Sequence, residues 1–143
     1  MLTTVDIQQA LRRHPFFRGV YPVNDLPTVL LPKPSALVIN LDERWKPGSH
    51  WVAVFIPEKG SAFYFDSFGR YPPNSIIALM ERNSSYGWTY NKGKLQGDLS
   101  VLCGVYCIEF IKHCRDYYRF FKLFRFCDPL NDLKLVKSYL KRV

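Results

Sequence analysis

Hydrophobic and polar positions change rhythm several times along the chain, and each change marks a predicted element. Residues 4–13 (TVDIQQALRR) place Val5, Ile7, Ala10 and Leu11 on one helical stripe, with Thr3 or Thr4 as N-cap and Pro15 closing the segment. The next stretch, PFFRGVYPVNDLPTVLLPKP, holds five prolines among bulky apolar residues. Proline removes a backbone donor and fixes φ, so an irregular arm laid over the core is expected, its aromatics serving as anchors. Three strands are predicted at 35–41 (SALVINL), 50–56 (HWVAVFI) and 61–66 (SAFYFD), each rich in β-branched or aromatic residues. Residues 57–60 (PEKG) read as a tight turn, which makes the last two strands antiparallel neighbours. A helix is predicted over 73–82 with Asn74 or Ser75 at its start, and a further strand over 88–95 leads towards Gln96. The run 101–113 (VLCGVYCIEFIKH) is apolar nearly all round, as a helix buried in a core must be, and Cys103 stands at its beginning. Residues 131–142 form an amphipathic helix with Leu133, Val136 and Leu140 on one side.

No internal repeat or low-complexity linker interrupts this order. A single domain over 1–143 is expected, with a helix and arm at 1–34, a core at 35–114 and a helical region at 115–143. The apolar runs fall far short of the roughly 20 residues of a membrane span, and the N-terminus has no signal-like apolar region. A soluble, intracellular, monomeric protein without a membrane partner is the expectation.

Twenty Lys plus Arg against twelve Asp plus Glu give a net charge of +8, a field attractive to nucleic acid or acidic surfaces. Arg115, Arg119, Lys122, Arg125, Lys134, Lys137, Lys141 and Arg142 gather in the last thirty residues. They make either a solvated helical face or a polyanion-binding one. The cysteines, 103, 107, 114 and 127, are expected to be reduced. Cys103, Cys107, His113 and Cys114 lie along one helix and cannot readily surround an ion, so no metal site is expected.

A thiol becomes a strong nucleophile when it loses its proton, which favours a positive setting and a neighbouring histidine. Cys103 meets the first condition at a helix N-terminus, where backbone N–H groups and the helix dipole favour negative charge. Cys107 and Cys114 lie deeper in the helix and read as inert packing. His50 heads one strand and Asp66 ends the next, and in an antiparallel hairpin those ends are adjacent. Asp66 can then orient His50 and stabilise its protonated form. Gln96, seven positions before Cys103, can offer its amide N–H₂ with the Cys103 backbone N–H to the oxygen of a carbonyl under attack. Taken singly, His50 reads as a strand-end residue, Asp66 as a turn cap and Gln96 as nothing in particular; their joint order points to a thiol hydrolase. His14 and His113 have no such company, and Met80 and most aromatics read as core.

The segment GSHWVAVFIPEKGSAFYFDSFG followed by LQGDLSVLCGVYC resembles the core of the adenovirus protease, adenain, and in order and spacing the proteases that process SUMO and related modifiers. PFFRGVYPVNDLP resembles the adenovirus enzyme's N-terminal arm, so the likeness covers about residues 5–114. The resemblance implies an α+β papain-like fold with the nucleophile helix against a mixed sheet, and endopeptidase activity after small residues, often glycine. It makes Cys103 the nucleophile, His50 the base, Asp66 its orienting acid and Gln96 the oxyanion donor, with Trp51 and Gly104 at the substrate channel. It calls for no metal or organic cofactor. The acid is Asp, as in the SUMO-protease branch, whereas the adenovirus enzyme typically has Glu. The C-terminal part is shorter than the adenovirus protein's, which leaves activation by DNA or a peptide open. The implied substrates are viral or virus-like precursors, with action in the host nucleus and virion. A deconjugase of ubiquitin-like modifiers, a non-catalytic binding module on the same fold and a basic nucleic-acid binder are the alternatives.

Overall fold

The computed structural model describes residues 2–41, 50–97 and 100–141. Gly48 and Ser49 before His50, Asp98 and Leu99 before Cys103, and Arg142 of the basic cluster lie outside the described residues.

Helix α1 (Thr4–Leu11) opens with a reciprocal capping box, in which the Asp6 N–H donates to the Thr3 hydroxyl and the Thr3 N–H to the Asp6 carboxylate. The proline-rich arm departs from expectation: Phe17–Pro22 is a regular strand, β1, paired parallel to β2 (Ser35–Asn40). Pro15 lies before the strand and Pro22 ends it, so neither interrupts the ladder, and β1 is the sheet edge, where proline is tolerated. The irregular arm is confined to the residues between β1 and β2.

β3 (Trp51–Ile56) runs antiparallel to β2 and to β4 (Ala62–Phe65), while β5 (Trp88–Tyr90) pairs parallel to β4 at the other edge. The result is a mixed five-stranded sheet in the order β1-β2-β3-β4-β5. β5 covers only the first three residues of the predicted 88–95 strand. β3 is buried along its whole length because both sheet faces are covered. Trp51, Ala53 and Phe55 face the cluster shared with α3 (Cys103–Lys112); Val52, Val54 and Ile56 face α2 (Asn74–Asn83) through Ile76, Leu79 and Met80. α2 starts at Asn74, one of the two starts expected, with Pro73 as its N-cap.

A helix α4 (Tyr117–Phe121), inside the helical region expected at 115–143 but without predicted bounds of its own, covers the outer end of β4. Its aromatics join a stack in which Phe65 lies parallel to Phe110 at 4.7 Å and Tyr117 sits 4.4 Å from Phe63. Helix α5 (Asn131–Leu140) packs on α3, where Ser138 donates to the buried Glu109 carboxylate at 3.0 Å. No helix among the described residues is long and apolar enough to cross a membrane.

Candidate active site

The register of β3 and β4 explains why His50 and Asp66 meet. Ala53 faces Phe65 and Val54 faces Tyr64. In this antiparallel pairing the residue that precedes β3, His50, and the residue that follows β4, Asp66, come out at the same end of the sheet. The contacts agree: His50 Nε2 lies 2.8 Å from Asp66 Oδ1, and the imidazole ring sits 5.1 Å from the Phe68 ring.

Asp66 is wholly buried and rigidly held. Its Oδ1 also accepts the Phe68 backbone N–H at 2.8 Å, and its carbonyl accepts from Gly69 N–H at 2.7 Å. Asn91, just beyond β5, grips the Asp66 main chain from both sides, accepting from its N–H at 3.0 Å and donating to its carbonyl at 2.6 Å. The turn after Asp66 requires glycine at 69: φ is +70°, and a Cβ there would stand 2.7 Å from the Gly93 backbone. Phe68 is flanked by two cations, Arg70 at 4.9 Å and Lys94 at 5.4 Å from its ring centre.

With Nε2 engaged by Asp66, the opposite edge of the His50 ring is left for Cys103, whose side chain is hydrogen-bonded to it. Burial alone would lower the pKa of His50. Hydrogen bonds to Asp66 and Cys103, reinforced by the negative charge on each, outweigh burial and raise it from 6.5 to about 9. The imidazole thus keeps its proton at neutral pH. Cys103 is the first residue of α3, and the N-cap Leu102 offers no side-chain acceptor, so the positive helix end is turned towards the sulfur. Burial pushes the thiol of Cys107 well up and that of Cys114 up to about 12, which suits inert core residues.

Close approach of α3 to β3 depends on Gly104. A Cβ there would stand 3.3 Å from the Trp51 ring and 3.3 Å from the Leu2 side chain. Trp51 is 2% exposed, and its indole N–H has no hydrogen-bond partner among the described residues. Gln96, also 2% exposed, is fixed at both ends of its amide, accepting from the Ser67 hydroxyl at 2.5 Å and donating to the Ser100 carbonyl at 2.8 Å. A cleft of about 370 Å³ opens beside it, between residues 94–97 and 127–129.

The structure therefore brings His50, Asp66 and Cys103 into one chain of contacts and sets Gln96 on the same scaffold through Ser67, which follows Asp66 directly. Ser67, Phe68 and Asn91 were not singled out from the sequence. The first two stand inside the DSFG motif, a signal that was present; Asn91 had none, because only strand pairing brings it to Asp66. His113 turns Nδ1 to the Glu109 carbonyl at 2.8 Å, within the last turn of α3. Among the described residues no three His, Cys, Asp or Glu side chains gather as metal ligands would.

A mixed sheet between helices, with a cysteine at a helix N-terminus and a histidine–carboxylate pair at the strand ends, is the α+β fold that the resemblance to adenain and the SUMO proteases implies. The sequence is similar to viral proteins named as thiol or cysteine proteases. It is 36% identical over 86 residues, 53% of this chain and 28% of the relative, to the protein named thiol protease R355 of Acanthamoeba polyphaga mimivirus. It is 44% identical over 48 residues, 32% of this chain and 18% of the relative, to the cysteine protease S273R of an African swine fever virus isolate from Malawi. In other isolates that protein is named a SUMO-1 cysteine protease. The chain thus matches well under half the length of these relatives. The crystal structure of the African swine fever virus pS273R protease superposes with a TM-score of 0.67 over 97% of this chain and 66% of that one, at 21% identity, a likeness of fold. No protein-family model matches the chain.

Proposed function

We propose that the chain is a viral cysteine endopeptidase that cleaves precursor proteins after small residues, at Gly-Gly or Gly-x sites. The observation that carries this reading is the His50 imidazole held between Asp66, at 2.8 Å, and Cys103, with its pKa raised to about 9. That combination sets a protonated imidazole beside the sulfur of the nucleophile.

In the proposed reaction the Cys103 sulfur attacks the scissile carbonyl carbon, forming a C–S bond and placing negative charge on the carbonyl oxygen. The Gln96 amide and the Cys103 backbone N–H stabilise that oxyanion. His50 gives its proton to the departing amine as the C–N bond breaks, with Asp66 holding the ring in register. Water, deprotonated by His50, then hydrolyses the thioester and restores the thiol. Trp51 and Gly104, packed against each other where α3 meets β3, shape the channel that accepts the small residues from beneath. The chemistry requires no metal or organic cofactor.

Residues 1–34 and 115–143 belong with the core as one protease domain, which is supported by an apolar cluster on one face of the single sheet that draws on all three regions and one on the other face that draws on the first two. The +8 charge supports DNA as an activating partner, and viral relatives support action in an infected cell, where the host nucleus and the virion are the proposed places. A second reading, removal of a ubiquitin-like modifier, is favoured by the name SUMO-1 cysteine protease carried by relatives.

The test is cleavage of fluorogenic Leu-x-Gly-Gly and Leu-x-Gly-x peptides and of a SUMO C-terminal fluorogenic conjugate, by wild type and Cys103→Ala, with and without DNA. Peptide turnover lost in Cys103→Ala supports the endopeptidase. Turnover of the conjugate alone favours the deconjugase. Silence throughout, with Cys103 unreactive to iodoacetamide at neutral pH, points to a binding module.

A further inference from the structure

We infer that Ser67 is a positioning residue for the oxyanion site, locking the Gln96 amide so that one N–H faces the attacked carbonyl; this rests on the cysteine protease reading above. An unrestrained glutamine amide can flip, presenting an oxygen where a donor is needed, and an oxygen there would repel the developing negative charge. One neighbour sets the orientation and a second anchors it. The Ser100 carbonyl can only accept, so the amide atom 2.8 Å from it is the nitrogen. The opposite atom, Oε1, takes the hydroxyl proton of Ser67 at 2.5 Å. One N–H of Nε2 is thereby spent on Ser100, and the other projects from a side chain that cannot rotate.

The main chain strengthens the lock. The Ser67 carbonyl accepts from the backbone N–H groups of both Leu95 and Gln96, at 2.8 and 2.9 Å. Ser67 is fully buried, so no water competes for its hydroxyl. Because Ser67 follows Asp66, one dipeptide holds the base through the carboxylate of its first residue and the oxyanion donor through the hydroxyl of its second. The two halves of the site are thus fixed relative to each other by a single peptide bond.

The test compares wild type, Ser67→Ala, Gln96→Ala and the double variant by kcat and KM on the cleaved fluorogenic peptide, by the rate of Cys103 alkylation with iodoacetamide, and by melting temperature. Alkylation is a displacement at a CH₂ carbon that builds no carbonyl oxyanion, so it reports the Cys103–His50 pair alone. In Ser67→Ala, kcat should fall on the order of 10- to 100-fold with KM and alkylation nearly unchanged. The double variant should be no slower than Gln96→Ala, since both substitutions remove one function. An unchanged kcat in folded Ser67→Ala, or losses that multiply in the double variant, would overturn the inference. If Ser67→Ala does not fold, Ser67→Cys, similar in size and a weaker donor, is read by the same ratio of turnover to alkylation, and a wild-type ratio overturns the inference. A wild type that alkylates slowly and cleaves nothing removes the protease reading itself, and this inference with it.

Discussion

His50 holds its proton against burial only through its two partners, and this gives the site a characteristic pH dependence. Its folded pKa, about 9, lies above the ordinary 6.5. The resulting stabilisation is fully present below pH 6.5 and is lost as pH rises through about 9. The leaving amine needs the same proton, so kcat/KM should decline along an alkaline limb centred near pH 9. Asp66→Asn should move that limb to lower pH by about one unit or more, because the neighbouring negative charge is gone. A pH–rate profile of both proteins checks this, and a limb that stays in place would separate Asp66 from His50's titration. Gly69 makes a different demand. Alanine there must adopt φ near +70° and meet the Gly93 backbone, so Gly69→Ala should lose about 2 kcal/mol or more in urea unfolding.

Secondary-structure elements contribute by bringing chain ends together. β5 has only three residues, yet its continuation carries Asn91 to the Asp66 main chain. Asn91→Ala would leave the buried Asp66 N–H without its acceptor, while the Asp66 carbonyl keeps the Gly69 N–H, and should cost about 2 kcal/mol in chemical denaturation. Activity should fall by more than the unfolded fraction accounts for, since Asp66 itself is loosened. At this scale much was legible from sequence. The alternation of β-branched and aromatic residues placed three central strands within one residue of their observed ends, and the all-apolar pattern placed α3. One element was misjudged and another was left without bounds, each for a physical reason. β1 is built from a segment whose prolines suggested irregularity, but both flanking prolines sit where the ladder needs no donor from them. α4 is five residues of mostly aromatic sequence, too short for a helical period to show, and forms because Phe110 and Phe65 offer its rings a surface.

Across the whole molecule, the C-terminal helix supports the segment that bears Gln96. Asn131, wholly buried at the start of α5, donates to the Leu95 carbonyl at 3.2 Å and to the Arg125 carbonyl at 2.6 Å. Tyr106 of α3 donates to Asp132 at 2.7 Å, tying α5 to the Cys103 helix. Asn131→Ala should cost about 2 kcal/mol and lower kcat, whereas Tyr106→Phe should cost about 1 kcal/mol, since its hydroxyl partner Asp132 retains access to water. Melting curves paired with kcat for both variants check the distinction; equal and small effects would deny α5 a part in the site.

The sequence by itself determined which residues could form strands and helices, that Cys103 opens a buried helix, and that His50 and Asp66 stand at adjoining strand ends. Those features are local: they follow from side-chain periodicity and from the short turn between two strands. Only the tertiary structure decided that β1 joins the sheet, that α4 covers its outer face, and that Ser67 and Asn91 hold Gln96 and Asp66. Each of those outcomes depends on groups from different elements being desolvated together, where a buried polar atom must find a partner and an exposed aromatic ring gains by packing. Such pairings leave no period in the chain, and they arise only when the sheet and helices have assembled.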